Sequence, residues 1–334
     1  MDTPLKQLLN DVLQTSGIQQ KKDIQSIATA LQGAFSNTDH PNGDDAAAIK
    51  TENGFDLMAG EGFLTDFVKT DPWFAGWCSV MVNISDIAAM GGYPTAITNT
   101  IWSKQGSELE QIYQGMSDAS NAFQVPIVGG HTNLQSETTQ LAVSIHGKAK
   151  RLLSSFAAKP GDVLIAAIDL RGSFRKPFLN WNAATTAPTK RLREDIALLP
   201  LIAETNLAIA AKDISQAGIL GTCTMLLESS DVGAEVELEN IPKPATVSWI
   251  DWLCCFPSFG YLLTTPPAKL DELLDTFNKR DIAANCIGEI TEHKQLIINK
   301  HGQSDVFWDI ENQALTGFSA LNEKQQIEDK LAYA

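Results

Sequence analysis

The segment DPWFAGWCSVMVNISDIAAMGG, residues 71–92, places apolar or small side chains almost all the way round a helix and then closes on two glycines. A helix that is apolar on every face belongs in a core, and Gly91 and Gly92 supply its stop signal. One residue breaks the pattern. Asp86 falls where the rest of the segment calls for full burial, and a buried carboxylate without compensation is costly. Two compensations fit. A salt bridge, or a capping role for which Ser85 and Asp86 are both suited, gives a purely structural reading. A bound divalent cation, which favours hard oxygen ligands, gives a functional one.

Three more acidic sites share this local grammar, each at the end of an apolar run beside small residues. They are Asp44 and Asp45 in GDDAAAI (43–49), Glu61 in MAGEGF (58–63) and Asp213 in AAKDISQAG (210–218). Neither Asp44 nor Asp45 has an adjacent Lys or Arg to neutralise it. Gly-Asp-Asp is ordinary turn chemistry, so water suffices for that pair taken alone. One metal cluster accounts for all four sites together. VPIVGGHTN (125–133) reads as a short strand followed by a glycine-rich turn, either a plain tight turn or one whose N–H groups approach a phosphate. KDISQAGILGT (212–222) reads as the start of a helix, capped by Asp213 or Ser215, with its N-terminus facing an anion. Neither G-x-x-x-x-G-K-[ST] nor G-x-G-x-x-G is present, so nucleotide binding here uses another grammar.

Composition limits the partners. The 334 residues carry 40 acidic and 25 basic side chains, a net charge of −15, which argues against nucleic-acid backbones and anionic membranes. A nucleotide stays possible, because a carboxylate-bound metal can bridge to phosphates. No apolar run reaches the length of a membrane span, and MDTPLKQLLNDVLQ reads as an amphipathic helix rather than a secretory signal. Five cysteines without C-x-x-C spacing and five scattered histidines point to reduced, mostly buried thiols, a cytoplasmic location and no zinc site.

The chain alternates helices and strands, as a mixed α/β protein does. Residues 1–35 read as one or two helices, FDLMAGEGF as a strand, TAITNTIW as a strand, SELEQIYQGMSDASNAF as an amphipathic helix and QLAVSIHGKA as a strand. Lys-Pro-Gly-Asp (159–162) marks a turn before a new apolar strand, and the expected domains are 1–155 and 156–334. Beyond it come a helix from Leu198 to Ala211, a helix through TCTMLLESS, strands at GAEVEL and FGYLLTT, a helix at LDELLDTFNKR, and strands near IGEI and QLIINK.

The ordered set GDDAAAI, NISDIAAMGGYP, VGGHTN, KPGD and KDIS-x-x-G resembles the aminoimidazole ribonucleotide (AIR) synthetase superfamily over roughly residues 40–290. Its relatives include thiamine-monophosphate kinase, selenophosphate synthetase and a hydrogenase-maturation protein. The resemblance implies a two-domain fold: an N-terminal mixed sheet with helices that dimerises through a shared β-barrel, and a C-terminal α/β sandwich. It implies ATP as co-substrate with Mg²⁺, a small metabolite, phosphorylated or not, as second substrate, and a homodimer. By the same resemblance Asp44, Asp45, Glu61, Asp86 and Asp213 hold metal, with Asp86 and Asp213 catalytic. Gly43, Asp44, Asn83, Gly129, Gly130, His131, Thr132 and Ser215 contact the nucleotide.

The relatives differ from this chain in telling places. Thiamine-monophosphate kinase has GEDYELLF where this chain has FPSFGYLLTT and Asp where His131 stands, and the hydrogenase-maturation protein needs a C-terminal cysteine where this chain ends KLAYA. RGSFRKPFLNWNAAT (171–185) departs from all of them, and its Arg171, Arg175, Lys176 and Trp181 read as contacts to an anionic or ring-bearing substrate, or as a solvated loop. The expected activity is Mg²⁺- and ATP-dependent phosphoryl transfer to, or activation of, a small metabolite. Alternatives are thiamine-monophosphate kinase, a nucleotide-binding scaffold without turnover and a metal-dependent hydrolase that uses no nucleotide.

Overall fold

The structure is a computed structural model and describes residues 3–31, 40–104 and 106–319. Its elements begin with α1 (Leu5–Leu13), α2 (Ser16–Lys22), α3 (Ile24–Leu31), β1 (Ala47–Thr51), β2 (Gly54–Phe63), α4 (Thr65–Thr70) and α5 (Pro72–Ala89). There follow β3 (Tyr93–Trp102), α6 (Ser107–Phe123), β4 (Ile127–Asn133), β5 (Gln140–Ala149), β6 (Val163–Ile168), β7 (Ser173–Arg175), β8 (Asn180–Asn182), α7 (Thr189–Ile196) and α8 (Leu198–Glu204). The remainder are β9 (Ala210–Asp213), α9 (Gly218–Ser230), β10 (Gly233–Glu237), α10 (Trp249–Leu253), β11 (Gly260–Thr265), α11 (Leu270–Asn278), β12 (Ala283–Thr291), β13 (Gln295–Lys300) and β14 (Gln303–Asp309). They form two compact units that follow packing rather than sequence order.

One unit comprises Asp45–Leu152 and Thr186–Glu204. Its sheet runs β1-β2-β5-β3-β4, antiparallel except for the parallel β3/β4 pair that α6 connects. Leu57, Val143, Ile145, Ile97 and Ile101 alternate onto one buried face, which α5 covers. The expected core helix is α5: fifteen of its eighteen residues are buried, and Gly91 beyond its end has φ +76°. α6 lies against α5 where two glycines meet backbone. A Cβ at Gly115 would stand 1.9 Å from the Trp73 carbonyl oxygen, and one at Gly76 2.1 Å from that of Ile112. On the opposite sheet face Ile49, Met58 and Tyr93 remain exposed.

The other unit comprises the described residues within 1–44, 153–185 and 205–334. Its seven-stranded sheet runs β14-β13-β10-β12-β6-β11-β9, with β10/β13 parallel and the other pairs antiparallel. β6 is buried along its whole length, and its core joins Leu5, Leu8 and Leu9 of α1 to α9 and the sheet. The N-terminal segment forms three helices up to Leu31 rather than the expected one or two, and residues 32–35 of the expected helical stretch lie outside the described residues, as does the terminal KLAYA.

Two further expectations change. The helix expected from Leu198 to Ala211 ends at Glu204, and Ala210–Asp213 is instead the edge strand β9, paired with β11. LAIAAKD is short and buried, and over so few apolar residues periodicity does not separate strand from helix. GGHTN is strand, not turn: β4 runs through it in register with β3. Gly130 is needed there for close approach, since a Cβ would lie 2.3 Å from the Asn99 carbonyl oxygen. Gly130→Ala is therefore expected to push β4 off β3 and destabilise the protein by about 1–3 kcal/mol in urea denaturation.

Candidate active site

Asp45 lies in the turn before β1, half-buried, and Asp86 is 5% exposed on α5 of the same unit. Their carboxylates offer oxygens within 4.8 Å of one another. Two negative charges that close, one of them buried, repel strongly unless a cation lies between them. The capping reading of Asp86 fails, because it sits three residues inside the helix end with its carbonyl accepting from Met90 N–H. One turn earlier, buried Asn83 donates Nδ2 to the Ser79 carbonyl at 2.8 Å, and its Oδ1 is a buried acceptor with no hydrogen-bond donor among the described residues.

Asp44 behaves differently from its neighbour. Its carboxylate accepts from the Ser155 N–H (3.1 Å), the Ser155 hydroxyl (2.7 Å) and the Ser154 hydroxyl (2.9 Å), with His40 Nε2 at 3.2 Å. Burial pushes its pKa up, but the His40 hydrogen bond, the charge of Lys212 and the Ser155 hydroxyl outweigh that and hold it below the ordinary value. The first of the two adjacent aspartates is thus compensated by protein groups within its own unit. Ser154, Ser155 and Lys212 were not foreseen, because they lie more than a hundred residues along the chain; His40, only four residues away, was overlooked.

Asp213 is the last residue of β9, 3% exposed, beside the equally buried Lys212. Neither Asp213 nor Ser215 caps a helix as expected: α9 begins at Gly218, and the N-cap position is Ala217. The Ser215 N–H donates to Thr222 Oγ1 at 3.2 Å, and its buried Oγ has no hydrogen-bond partner among the described residues. Gly43, just before Asp44, has φ +105° and carries the turn that delivers both aspartates.

The sheet register sorts the remaining expected residues. Glu61 pairs with Val143, Val143 with Asn99 and Asn99 with Gly130, so one row crosses four strands. Paired residues share a face, which sets Glu61, Gly130 and Thr132 on the helix side and Gly129 and His131 on the other. Thr132 Oγ1 meets the Tyr113 hydroxyl of α6 at 2.8 Å. Beside them a cavity of about 730 Å³ is lined by Asn99, Tyr113, Ser117, Asn121 and Gln124, among other uncharged groups.

Two other candidates are absorbed by the fold. Arg171 donates to both carboxylate oxygens of Asp169 (2.7 and 3.1 Å) and to the Arg280 carbonyl, while Trp181 is buried edge-on to Trp252 at 4.9 Å. Residues 173–182 form the β7/β8 hairpin rather than a solvated loop. The five cysteines are free thiols; burial pushes Cys223 up to about 12 and Cys254 to about 11, where neither serves as a nucleophile. No helix among the described residues is long and apolar enough to cross a membrane.

Residues 43–149 match the family described as "AIR synthase related protein, N-terminal domain", and residues 159–300 match "AIR synthase related protein, C-terminal domain". The chain belongs to the AIR synthase-related family. An uncharacterized protein of Synechocystis sp. is 43% identical to it, over 94% of this chain and 99% of that one. The thiamine-monophosphate kinase of Buchnera aphidicola is 28% identical over 78% of this chain and 90% of its own length. Among solved structures, Thermotoga maritima PurL complexed with ADP superposes with a TM-score of 0.72 at 19% identity, over 90% of this chain. This chain spans about half of that PurL, 52% of its length. AaThiL complexed with AMPPCP and TMP gives a TM-score of 0.65 at 20% identity, covering 85% of this chain and 95% of that one. The fold is the two-sheet mixed α/β arrangement of these AIR synthase-like proteins.

Proposed function

We propose that this AIR synthase-related protein is a Mg²⁺-dependent, ATP-using enzyme that phosphorylates or activates a small metabolite. The observation that carries the reading is the close carboxylate pair of Asp45 and buried Asp86. The donor set fits Mg²⁺, a hard cation that takes carboxylate oxygens and retains waters. Asp45, Asp86 and Asp213 would hold the ion, with Asp86 and Asp213 closest to the chemistry. Bound Mg²⁺ would supply charge neutralisation for the triphosphate, which together with positioning is most of what phosphoryl transfer requires.

The chain's own groups do the rest. The buried Oδ1 of Asn83 and Oγ of Ser215 are poised to bind ligand or metal-held water. Gly129, Gly130, His131 and Thr132 offer the outer edge of β4 to the nucleotide, and Glu61, three strands away on β2, adds a carboxylate in the row of Gly130. The uncharged cavity beside Thr132 falls in the range of roughly 300–1,000 Å³ typical of ligand sites, and it suits a nucleoside. Asp44, although next to Asp45, acts mainly by fixing the turn. The exposed face carrying Ile49, Met58 and Tyr93 is the surface through which we expect a homodimer to form.

Isothermal titration with AMPPCP tests this. Saturable heat is expected with Mg²⁺ present and none with EDTA; absence of heat with Mg²⁺ contradicts the reading. The Buchnera relative and the AaThiL fold favour thiamine monophosphate as the first acceptor to assay. ADP release with that acceptor would fix the reaction, whereas binding without ADP release across a metabolite panel would leave a nucleotide-binding scaffold.

A further inference from the structure

The last turn of α9 holds the GDD turn from two directions, and neither hold involves a metal or nucleotide group. Glu228 in that turn is 4% exposed. Its Oε1 accepts from the N–H groups of Leu315 (2.8 Å) and Gly317 (3.1 Å), and its Oε2 from the N–H and hydroxyl of Thr316 (2.9 and 2.6 Å). Three successive backbone donors closing on one carboxylate make an anion nest, filled here from within the chain. Gln25 of α3 donates its amide to the carbonyls of Ala314 and Leu315, so the segment is gripped through both its donors and its acceptors. It then turns at Gly317 (φ +83°) into Phe318. The Phe318 ring lies directly over Gly43, so close that a Cβ there would stand 2.3 Å from Cγ of the ring.

Two residues beyond Glu228, the hydroxyl of Ser230 donates to the Ser155 carbonyl at 2.6 Å and accepts from the Ala158 N–H at 3.0 Å. Ser155 is the residue whose N–H and hydroxyl grip Asp44. One helix end therefore fixes Gly43 through the strap 314–318 and Asp44 through the serine loop, and Asp45 is the next residue in the chain.

We propose that Glu228 and Phe318 are positioning residues for the acidic turn: the strap 314–318, anchored on Glu228, presses the Phe318 ring onto Gly43 and sets where the following aspartates stand. The part that concerns ligand affinity rests on the nucleotide reading above. Three full-length variants test it, Phe318→Ala, Phe318→Leu and Glu228→Gln. Glutamine keeps the shape of Glu228 but replaces one accepting oxygen with a donor, which faces the strap's own N–H groups.

Amide hydrogen exchange over residues 43–47 is expected to accelerate about tenfold or more in Phe318→Ala and Glu228→Gln. Phe318→Leu, which keeps the bulk over Gly43, is expected to restore it, while β6 and β11 exchange at the original rate in all three. The dissociation constant for Mg²⁺-AMPPCP is expected to rise about tenfold in the first two variants and to recover in the third. A merely stabilising strap would lower the melting temperature without this local and rescuable change. Unchanged exchange at 43–47 in Phe318→Ala and Glu228→Gln overturns the proposal, as does faster exchange with unchanged nucleotide affinity. If the unsubstituted protein bound no Mg²⁺-AMPPCP, the nucleotide reading would fall, and the exchange measurement alone would decide whether the strap holds the turn.

Discussion

Asp86→Asn is expected to abolish Mg²⁺-dependent nucleotide binding while leaving the fold intact. The residue is 5% exposed on the buried helix α5, and its carboxylate lies within 4.8 Å of the Asp45 carboxylate. Asparagine keeps the volume and one acceptor, so a purely structural role would pass almost unnoticed. A ligand role would not. Loss of an outer partner of a metal ligand already costs roughly 10–100-fold in affinity, and loss of the ligand itself should exceed about 100-fold. The sign of the stability change separates the cases further. Removing one of two adjacent negative charges relieves repulsion, so the melting temperature of the metal-free variant should stay level or rise, as it often does when a functional site gives up its strain. Titration calorimetry and a melting curve in EDTA measure both. A large fall in metal-free stability with unchanged nucleotide affinity would assign Asp86 to the fold.

Asp44→Ala should produce the opposite pattern, with stability lost first. Its carboxylate is fully buried, takes hydrogen bonds from Ser154 and Ser155, and carries the negative charge that faces Lys212. Removing one partner of a buried charge network typically costs about 3–5 kcal/mol, because what stays behind has lost its compensation. Urea denaturation measures the loss, and a cost below about 1 kcal/mol would show that the network is not structural. The pH dependence has a definite sign. The folded pKa lies below the ordinary 3.8, so the unfolded chain binds this proton more readily than the native protein. The stabilisation is therefore complete above the ordinary value and disappears as pH falls through the lowered folded one. Urea midpoints followed from about pH 6 down to about pH 2 should fall more steeply for the natural protein than for Asp44→Asn.

The difference between these two aspartates shows what can be read from sequence. Apolar patterning gave α5, apolar on every face, and α6, β5 and β13, because each carries an unbroken pattern of its own length. It also placed Asp86 inside a buried helix, where its charge needed explaining. Most of the compensation of Asp44 was not legible, since apart from the nearby His40 it comes from residues 154, 155 and 212, which only the folded chain brings to the turn. GGHTN failed as a turn for a related reason. Glycine signals either a bend or a close approach of backbones, and only the register of β4 on β3 reveals the approach of Gly130 to Asn99. At 171–185 the basic and aromatic residues looked like ligand contacts, but Asp169 and the Arg280 carbonyl engage Arg171 and the core takes Trp181. A charged or aromatic side chain carries the same sequence signal whether its partner is a ligand or the protein itself.

Diffraction from crystals grown with AMPPCP and Mn²⁺ in place of Mg²⁺ tests the central claim most directly, because manganese is seen by its anomalous signal. The expected result is a peak at bonding distance, about 2.0–2.3 Å, from carboxylate oxygens of Asp45, Asp86 and Asp213, with the nucleotide phosphates as further ligands. Manganese bound at other carboxylates, or nucleotide bound with no metal at these three, would contradict it.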